Sequence, residues 1–129
     1  MHILKRLDEL PLQRPYSMLP PATVDLVIRS TSELLTTGFR QVQQDISDSS
    51  AEQVRRLLLS YQAPDSSVVL VWPADRFGVV ILYSDFVAHY DDLWYPSRDD
   101  LWVTNYSFGW VIEISHEEVL TLITKIATS

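Results

Sequence analysis

The chain has 129 residues, of which 47% are hydrophobic and 21% are charged, and its formal net charge is −7. This size and composition predict a single globular domain over residues 1–129 and exclude a disordered chain. Cysteine is absent, which excludes disulfides, thiolate metal sites and cysteine nucleophiles and is compatible with a reducing compartment.

Charge is distributed unevenly along the chain. Residues 1–60 hold seven basic and seven acidic side chains, whereas residues 61–129 hold three basic side chains against ten acidic ones. Residues 61–129 also hold twelve of the fourteen Phe, Trp and Tyr residues. Because phosphate binding needs clustered Lys and Arg, nucleic acid and anionic membrane are disfavoured as partners, and a basic protein is favoured.

The N-terminal residues and the apolar runs predict where the protein resides. Lys5 and Arg6 are followed by Asp8 and Glu9 with no uninterrupted apolar stretch, so we expect no secretory signal. The longest apolar runs, residues 68–72 and 77–83, are far shorter than the ~18 residues of a membrane span. We therefore expect a soluble, cytoplasmic protein.

Three helices are predicted in the first sixty residues, from apolar side chains that repeat every three or four positions. These stripes are Ile3, Leu4, Leu7 and Leu10; Val24, Val27, Ile28, Leu34 and Leu35; and Val54, Leu57 and Leu58. Pro11 ends the first helix, Gly38 ends the second, and Ser50 with Gln53 is a capping-box signal for the third. Residues 39–49 fit either a helix or an edge strand.

The second half of the chain predicts mostly strands. Residues 68–72 and 78–83 form one hairpin and residues 101–105 and 109–114 another. Ser115 and Glu118 are a capping-box signal for a final helix that extends to Ile126. The predicted fold is α+β, with a mainly antiparallel sheet of about four strands packed on one side by the N-terminal helices and a C-terminal helix.

The most distinctive feature is a tetrapeptide, Asp-Asp-Leu-Trp, which occurs at residues 91–94 and again at residues 99–102. Carboxylates are costly to bury, whereas tryptophan gains from leaving water, so a partner that covers both is one solution. In the second copy, Leu101 and Trp102 open a predicted strand and the acidic pair can form the turn before it. The predicted partner-binding residues are Asp91, Asp92, Trp94, Tyr95, Asp99 and Asp100.

The sequence contains none of the common motifs of catalytic sites that we considered. With three glycines in the chain, no phosphate-binding glycine-rich loop can be written, and no serine lies in a nucleophile elbow. The sequence His116-Glu117-Glu118 lacks the second histidine of a zincin helix. We therefore assign no catalytic residue, no cofactor and no metal ligand, and a role other than enzyme is favoured.

Residues 95–105, YPSRDDLWVTN, and residues 110–118, WVIEISHEE, resemble the C-terminal pattern of small uncharacterised bacterial proteins, some of which are similar to immunity proteins of polymorphic toxin systems. The resemblance covers about the last quarter of the chain. It implies a cytoplasmic protein without catalytic activity that blocks a cognate toxin, and it identifies no binding residue.

The leading hypothesis is therefore an acidic protein-binding module, with neutralisation of a basic toxin as its specific form. One alternative is a divalent-metal-dependent hydrolase that uses His89 with Asp91 and Asp92. A second is a small-ligand or glycan-binding domain with an aromatic platform of Trp94, Tyr95 and Tyr106. Exposed aromatic side chains also fit a homodimer interface.

Overall fold

The computed structural model describes residues 2–125 of the chain. Within this range, helices and strands follow one another in a mixed order. In chain order the elements are α1 (His2–Glu9), β1 (Ser17–Met18), α2 (Pro21–Thr37), β2 (Phe39–Asp45), α3 (Ala51–Leu59), β3 (Ser67–Trp72), β4 (Phe77–Leu82), α4 (Tyr83–Leu93), β5 (Leu101–Thr104), β6 (Trp110–Ile114) and β7 (Val119–Thr124). The fold is α+β, as the sequence predicts.

The strands form one antiparallel sheet in the order β1-β4-β3-β5-β6-β7-β2. Both predicted hairpins are confirmed, since β3 pairs with β4 and β5 pairs with β6. The prediction of about four strands is wrong, because the described residues form a sheet of seven. Its two edges are very unequal: β1 has two residues and β2 has seven.

Helices lie on both faces of the sheet. Val68, Leu70 and Trp72 of β3 belong to the larger core, which also contains buried residues of α1, α3 and α4. Val69 and Val71 of β3 pack instead with residues of α2. We call these two sides the α4 face and the α2 face. The prediction of helices on one side is wrong, because a strand that is apolar at every position requires cover on both faces. None of the helices described within residues 2–125 is both long and apolar enough to cross a membrane.

Local signals in the sequence correctly identify the first three helices. Helix α1 ends before Pro11, and α2 ends at Gly38, whose N–H donates to the Leu34 carbonyl at 2.7 Å. The capping box of α3 is present in both directions. Ser50 Oγ accepts the Gln53 N–H at 3.2 Å, and Gln53 Oε1 accepts the Ser50 N–H at 2.8 Å.

The predicted C-terminal helix is wrong, because these residues form strand β7. Ser115 and Glu118 make the turn between β6 and β7, in which the Glu118 N–H donates to the Ser115 carbonyl at 3.0 Å. Glu118 has a φ of 62°, a left-handed conformation that cannot start a helix. Leu120 and Ile123 point to opposite faces of the sheet. Strand β7 pairs with both β6 and β2; Ile126 lies outside the described residues.

The structure decides the conformation of one segment that the sequence left open and shows one helix that the sequence did not predict. Residues 39–45 are strand β2, which pairs with β7 at the edge of the sheet. The sequence does not predict helix α4, and it assigns Tyr83 to a strand although this residue begins the helix. Because α4 extends to Leu93, the first Asp-Asp-Leu-Trp copy begins on a helix.

A buried carboxylate at the start of α4 holds the chain that connects α1 to β1. Asp85 is 2% exposed, and its two oxygens accept the backbone N–H groups of Gln13 and Arg14 at 2.9 and 3.2 Å. The position of Asp85 in the first turn of α4 also places its charge at the positive end of the helix dipole. These contacts together compensate the carboxylate for its lost hydration.

Replacing Asp85 with asparagine tests this anchor. We expect a loss of about 1–3 kcal/mol in the free energy of unfolding, because one of the two backbone donors then faces an amide NH₂ group and stays unpaired. Urea unfolding followed by tryptophan fluorescence measures the change. Asp65→Asn, at an exposed position, is the matched control, and an equal loss in both variants contradicts the role of Asp85.

Candidate protein-binding site

The first Asp-Asp-Leu-Trp copy divides between the surface and the interior. Asp91 and Asp92 are exposed at the end of α4, whereas Leu93 is buried. Trp94 is only 5% exposed, and its indole N–H donates to the Asp99 carbonyl at 2.9 Å. The expectation that Trp94 is accessible to a partner is wrong, because the ring packs in the larger core and its polar N–H is satisfied by the backbone.

Asp99 from the second copy is also buried, with 4% of the residue exposed. Its Oδ2 accepts from Arg6 Nη1 at 2.9 Å and from the Tyr95 backbone N–H at 2.9 Å. The expectation of an accessible Asp99 is therefore wrong. A carboxylate can be buried here because a cation from α1 and a backbone donor replace its water.

Arg6 and Trp72 fasten the end of α4 to the rest of the fold. The Leu93 carbonyl accepts from Arg6 Nη1 at 3.3 Å and from the Trp72 indole N–H at 3.0 Å. Arg6 Nη2 is buried without a hydrogen-bond partner among residues 2–125, and the guanidinium carbon lies 3.8 Å from the centre of the Tyr95 ring. The sequence carries one signal for this role: Arg6 follows Ile3 by three positions and so shares the buried side of α1.

A surface cleft lies beside this buried ion pair. The cleft has a volume of about 210 Å³ and is lined by Arg6, Glu9, Leu10, Asp92 and Tyr95. Tyr95 is 37% exposed, and one side of its ring is covered by Arg6. Glu9 and Asp92 are exposed and have no ion-pair partner in the described part of the chain. The structure thus brings Asp92 and Tyr95 together and adds Glu9, which the sequence did not single out.

The other two predicted site residues have partners within the fold. Asp91 forms an ion pair with Arg55 of α3 at 2.9 Å. Asp100 is half-buried, and its Oδ1 lies 2.9 Å from His116 Nδ1 and accepts the His116 backbone N–H at 2.8 Å. The hydrogen bond from His116 to Asp100, and then the negative charge of Asp100, raise the pKa of His116. The negative charges of Asp91 and Asp100 are therefore partly compensated within the fold before any partner binds.

Trp102 of the second copy is a strand residue on the α2 face. Its side chain is half-buried, and its indole N–H donates to Glu113 Oε2 at 2.8 Å. Trp102 and Glu113 are directly opposite each other on β5 and β6. Cross-strand pairing thus accounts for the position of Trp102 without a partner.

The geometry provides no support for the two alternative activities. Among residues 3–125, no three His, Asp or Glu side chains are placed to hold a metal ion together. Trp94 is buried, and Tyr95 and Tyr106 lie beyond opposite ends of β5. Because a four-residue strand spans roughly 13 Å, these aromatic side chains do not form one platform.

The buried Arg6–Asp99 pair can be tested by breaking it from each side. We expect Arg6→Met and Asp99→Asn each to cost about 3–5 kcal/mol in unfolding free energy, because each leaves one buried charge without its partner. The double variant is expected to cost less than the sum of the two. Urea unfolding of the four proteins measures this coupling.

The exposed pair Arg76 and Asp25 provides the control for that cycle. Replacing those two residues by Met and Asn is expected to cost less than about 1 kcal/mol, because water screens exposed charges. Strictly additive losses for Arg6 and Asp99 contradict a coupled ion pair.

The contact between His116 and Asp100 predicts a pH dependence. Because the pKa of His116 in the folded protein lies above its ordinary value of 6.5, the contact stabilises the fold fully below pH 6.5. This contribution is lost as the pH rises through the folded pKa. An NMR titration of the His116 ring should show a pKa that falls in Asp100→Asn and stays unchanged in Asp75→Asn. Equal titration curves in all three proteins contradict the assignment.

Comparison with known proteins finds no matching family model, no similar curated protein and no similar solved structure. The cleft has two features that bear on function: two carboxylates, Glu9 and Asp92, that form no ion pair within the described residues, and the Tyr95 ring, which packs against Arg6 on one side.

Proposed function

We infer that the protein is a non-catalytic binding module that docks a basic protein through the cleft between α1 and α4. The observation that carries this proposal is the pair of carboxylates, Glu9 and Asp92, which line one cleft and form no ion pair with any of the described residues. Arg6 also lines the cleft, but Asp99 already neutralises its charge. The cleft is therefore suited to an incoming Lys or Arg side chain.

Tyr95 supports the same proposal through its geometry. One side of the ring is held against Arg6, so the ring loses little conformational freedom when a partner covers its exposed part. Tyrosine recurs among the residues that dominate binding energy at protein interfaces, because it offers a large apolar area with one polar end. A cation stacked on Tyr95 and paired with Glu9 or Asp92 would use both properties.

The specific form of the proposal is an immunity protein that neutralises a basic toxin in the cytoplasm. Toxins that cleave nucleic acid need a basic surface to hold phosphates, and carboxylates of an inhibitor can occupy that surface instead. The net charge of −7 favours such an encounter by increasing the association rate. The absence of cysteine is compatible with a reducing compartment.

The test is affinity capture from the native host in about 50 mM salt, followed by elution in about 500 mM salt. We expect the wild type to capture a basic protein that high salt releases, because exposed charges are screened within about 10 Å at 0.1 M salt. The double variant Glu9→Gln/Asp92→Asn should bind the purified partner about tenfold more weakly, mainly through slower association. Surface plasmon resonance separates the two rate constants.

The matched control is Glu33→Gln/Asp65→Asn, which removes the same two charges at exposed positions away from the cleft. The control should bind nearly as well as the wild type. Equal weakening in both double variants means that only net charge matters and contradicts the cleft. Capture of no salt-sensitive partner by the wild type contradicts the proposed function.

A further inference from the structure

Strand β2 forms one edge of the sheet, and β1 forms the opposite edge. Its seven residues, Phe39–Asp45, pair with β7 on one side only. No further strand of the described residues lies on its outer side, so the outward backbone N–H and C=O groups other than those of Gln41 can pair with another strand. An uncovered edge of this length is a template for pairing with a second chain.

The charges on this edge are arranged in a self-complementary way. Arg40 lies opposite Ile123 and Asp45 lies opposite Val119, so both point to the α2 face. Two residues five positions apart normally point to opposite faces of a strand. Here a bulge between Arg40 and Val42 inserts one residue and brings them to the same face. The edge thus carries a positive charge at one end and a negative charge at the other.

We propose that a second copy of this chain docks on β2, strand against strand and antiparallel, around a two-fold axis at Gln43. If Gln41, the bulged residue, takes no position in the ladder between the two copies, Arg40 lies opposite Asp45 of the second copy, and Val42 lies opposite Gln44. The two residues of each pair lie on the same face of the sheet: Arg40 and Asp45 point to the α2 face, and Val42 and Gln44 point to the α4 face. Two Arg–Asp contacts form at once by symmetry.

An exposed aromatic side chain fits the same arrangement. Phe39 is 51% exposed and lies opposite Thr124, which places it on the α4 face. In the antiparallel pair, Phe39 comes next to Ile46 of the second copy. A groove of about 360 Å³ lies there, between the end of β2 and α3, and its apolar lining is Ile46, Val54 and Leu57. The ring of each copy can therefore enter the groove of the other.

The same edge could be regarded as protected against pairing, since charges and bulges are common protective devices. A charge protects an edge when pairing would leave it repelled or buried without a partner, whereas the opposite signs at the two ends of β2 give each charge a partner in an antiparallel copy. Arg40 has no ion-pair partner among residues 2–125. Asp45 has no ion-pair partner among these residues either, and the hydrogen bonds from Ser47, which lower its pKa, both reach Oδ1 and leave Oδ2 without a hydrogen bond from Ser47. Both charges are thus available to a second copy.

Charge reversal tests the proposal on the full chain. Sedimentation equilibrium from about 5 to 500 μM should show a monomer–dimer equilibrium with a Kd on the order of 100 μM, since one strand pair and two aromatic rings make a small interface. Arg40→Glu and Asp45→Lys should each raise Kd by about tenfold, because each places like charges opposite one another twice. The double variant Arg40→Glu/Asp45→Lys should return to within about threefold of the wild type, since the attraction is restored with reversed signs.

Two controls make the outcome specific. Arg29→Glu and Asp75→Lys introduce the same charge changes at exposed positions outside β2 and should leave Kd unchanged. Phe39→Ser should weaken the dimer while the melting temperature of the monomer at low concentration stays close to that of the wild type. A wild type that remains monomeric throughout, or a double variant no better than the single ones, overturns the proposal. Neither result bears on Glu9 and Asp92, because the cleft shares no residue with β2.

Discussion

The buried ion pair between Arg6 and Asp99 is the contact on which the surface of this protein depends. It joins the first helix to the segment between α4 and β5, and Arg6 also bonds to the last carbonyl of α4 at Leu93. A buried charge is costly without its partner, so each of the two residues stabilises the buried position of the other. The pair therefore fixes where α4 ends and how the chain continues toward β5.

The arrangement of residues 94–100 depends on the ion pair between Arg6 and Asp99. Trp94 turns inward and bonds to the Asp99 carbonyl, while Tyr95 turns outward over Arg6. One strongly acidic and aromatic segment is thus divided into an interior part that stabilises the fold and a surface part that remains free for contact. Asp92 stays in water beside Tyr95 because the interior already holds the one carboxylate that Arg6 can neutralise.

The two proposed contact surfaces use different physics. The cleft beside Tyr95 offers unpaired negative charge and a prearranged ring, which favour a basic side chain of a foreign protein. Strand β2 offers backbone groups and charges of both signs, which favour an identical strand. The bulge near Gln41 is essential to the second surface, because it alone brings Arg40 and Asp45 to one face of the sheet.

The sequence by itself determines the elements whose signals are local. The capping box at Ser50 and the apolar hairpin strands specify α3 and the β3–β4 pair from neighbouring residues alone. The segment after Ser115 has a helical signal as well, yet it becomes β7, because β6 and β2 together supply both sets of hydrogen bonds to it. Only the tertiary structure decides that Trp94 is buried and Tyr95 exposed, because Arg6, the cation that allows Asp99 inside, is 93 residues away along the chain.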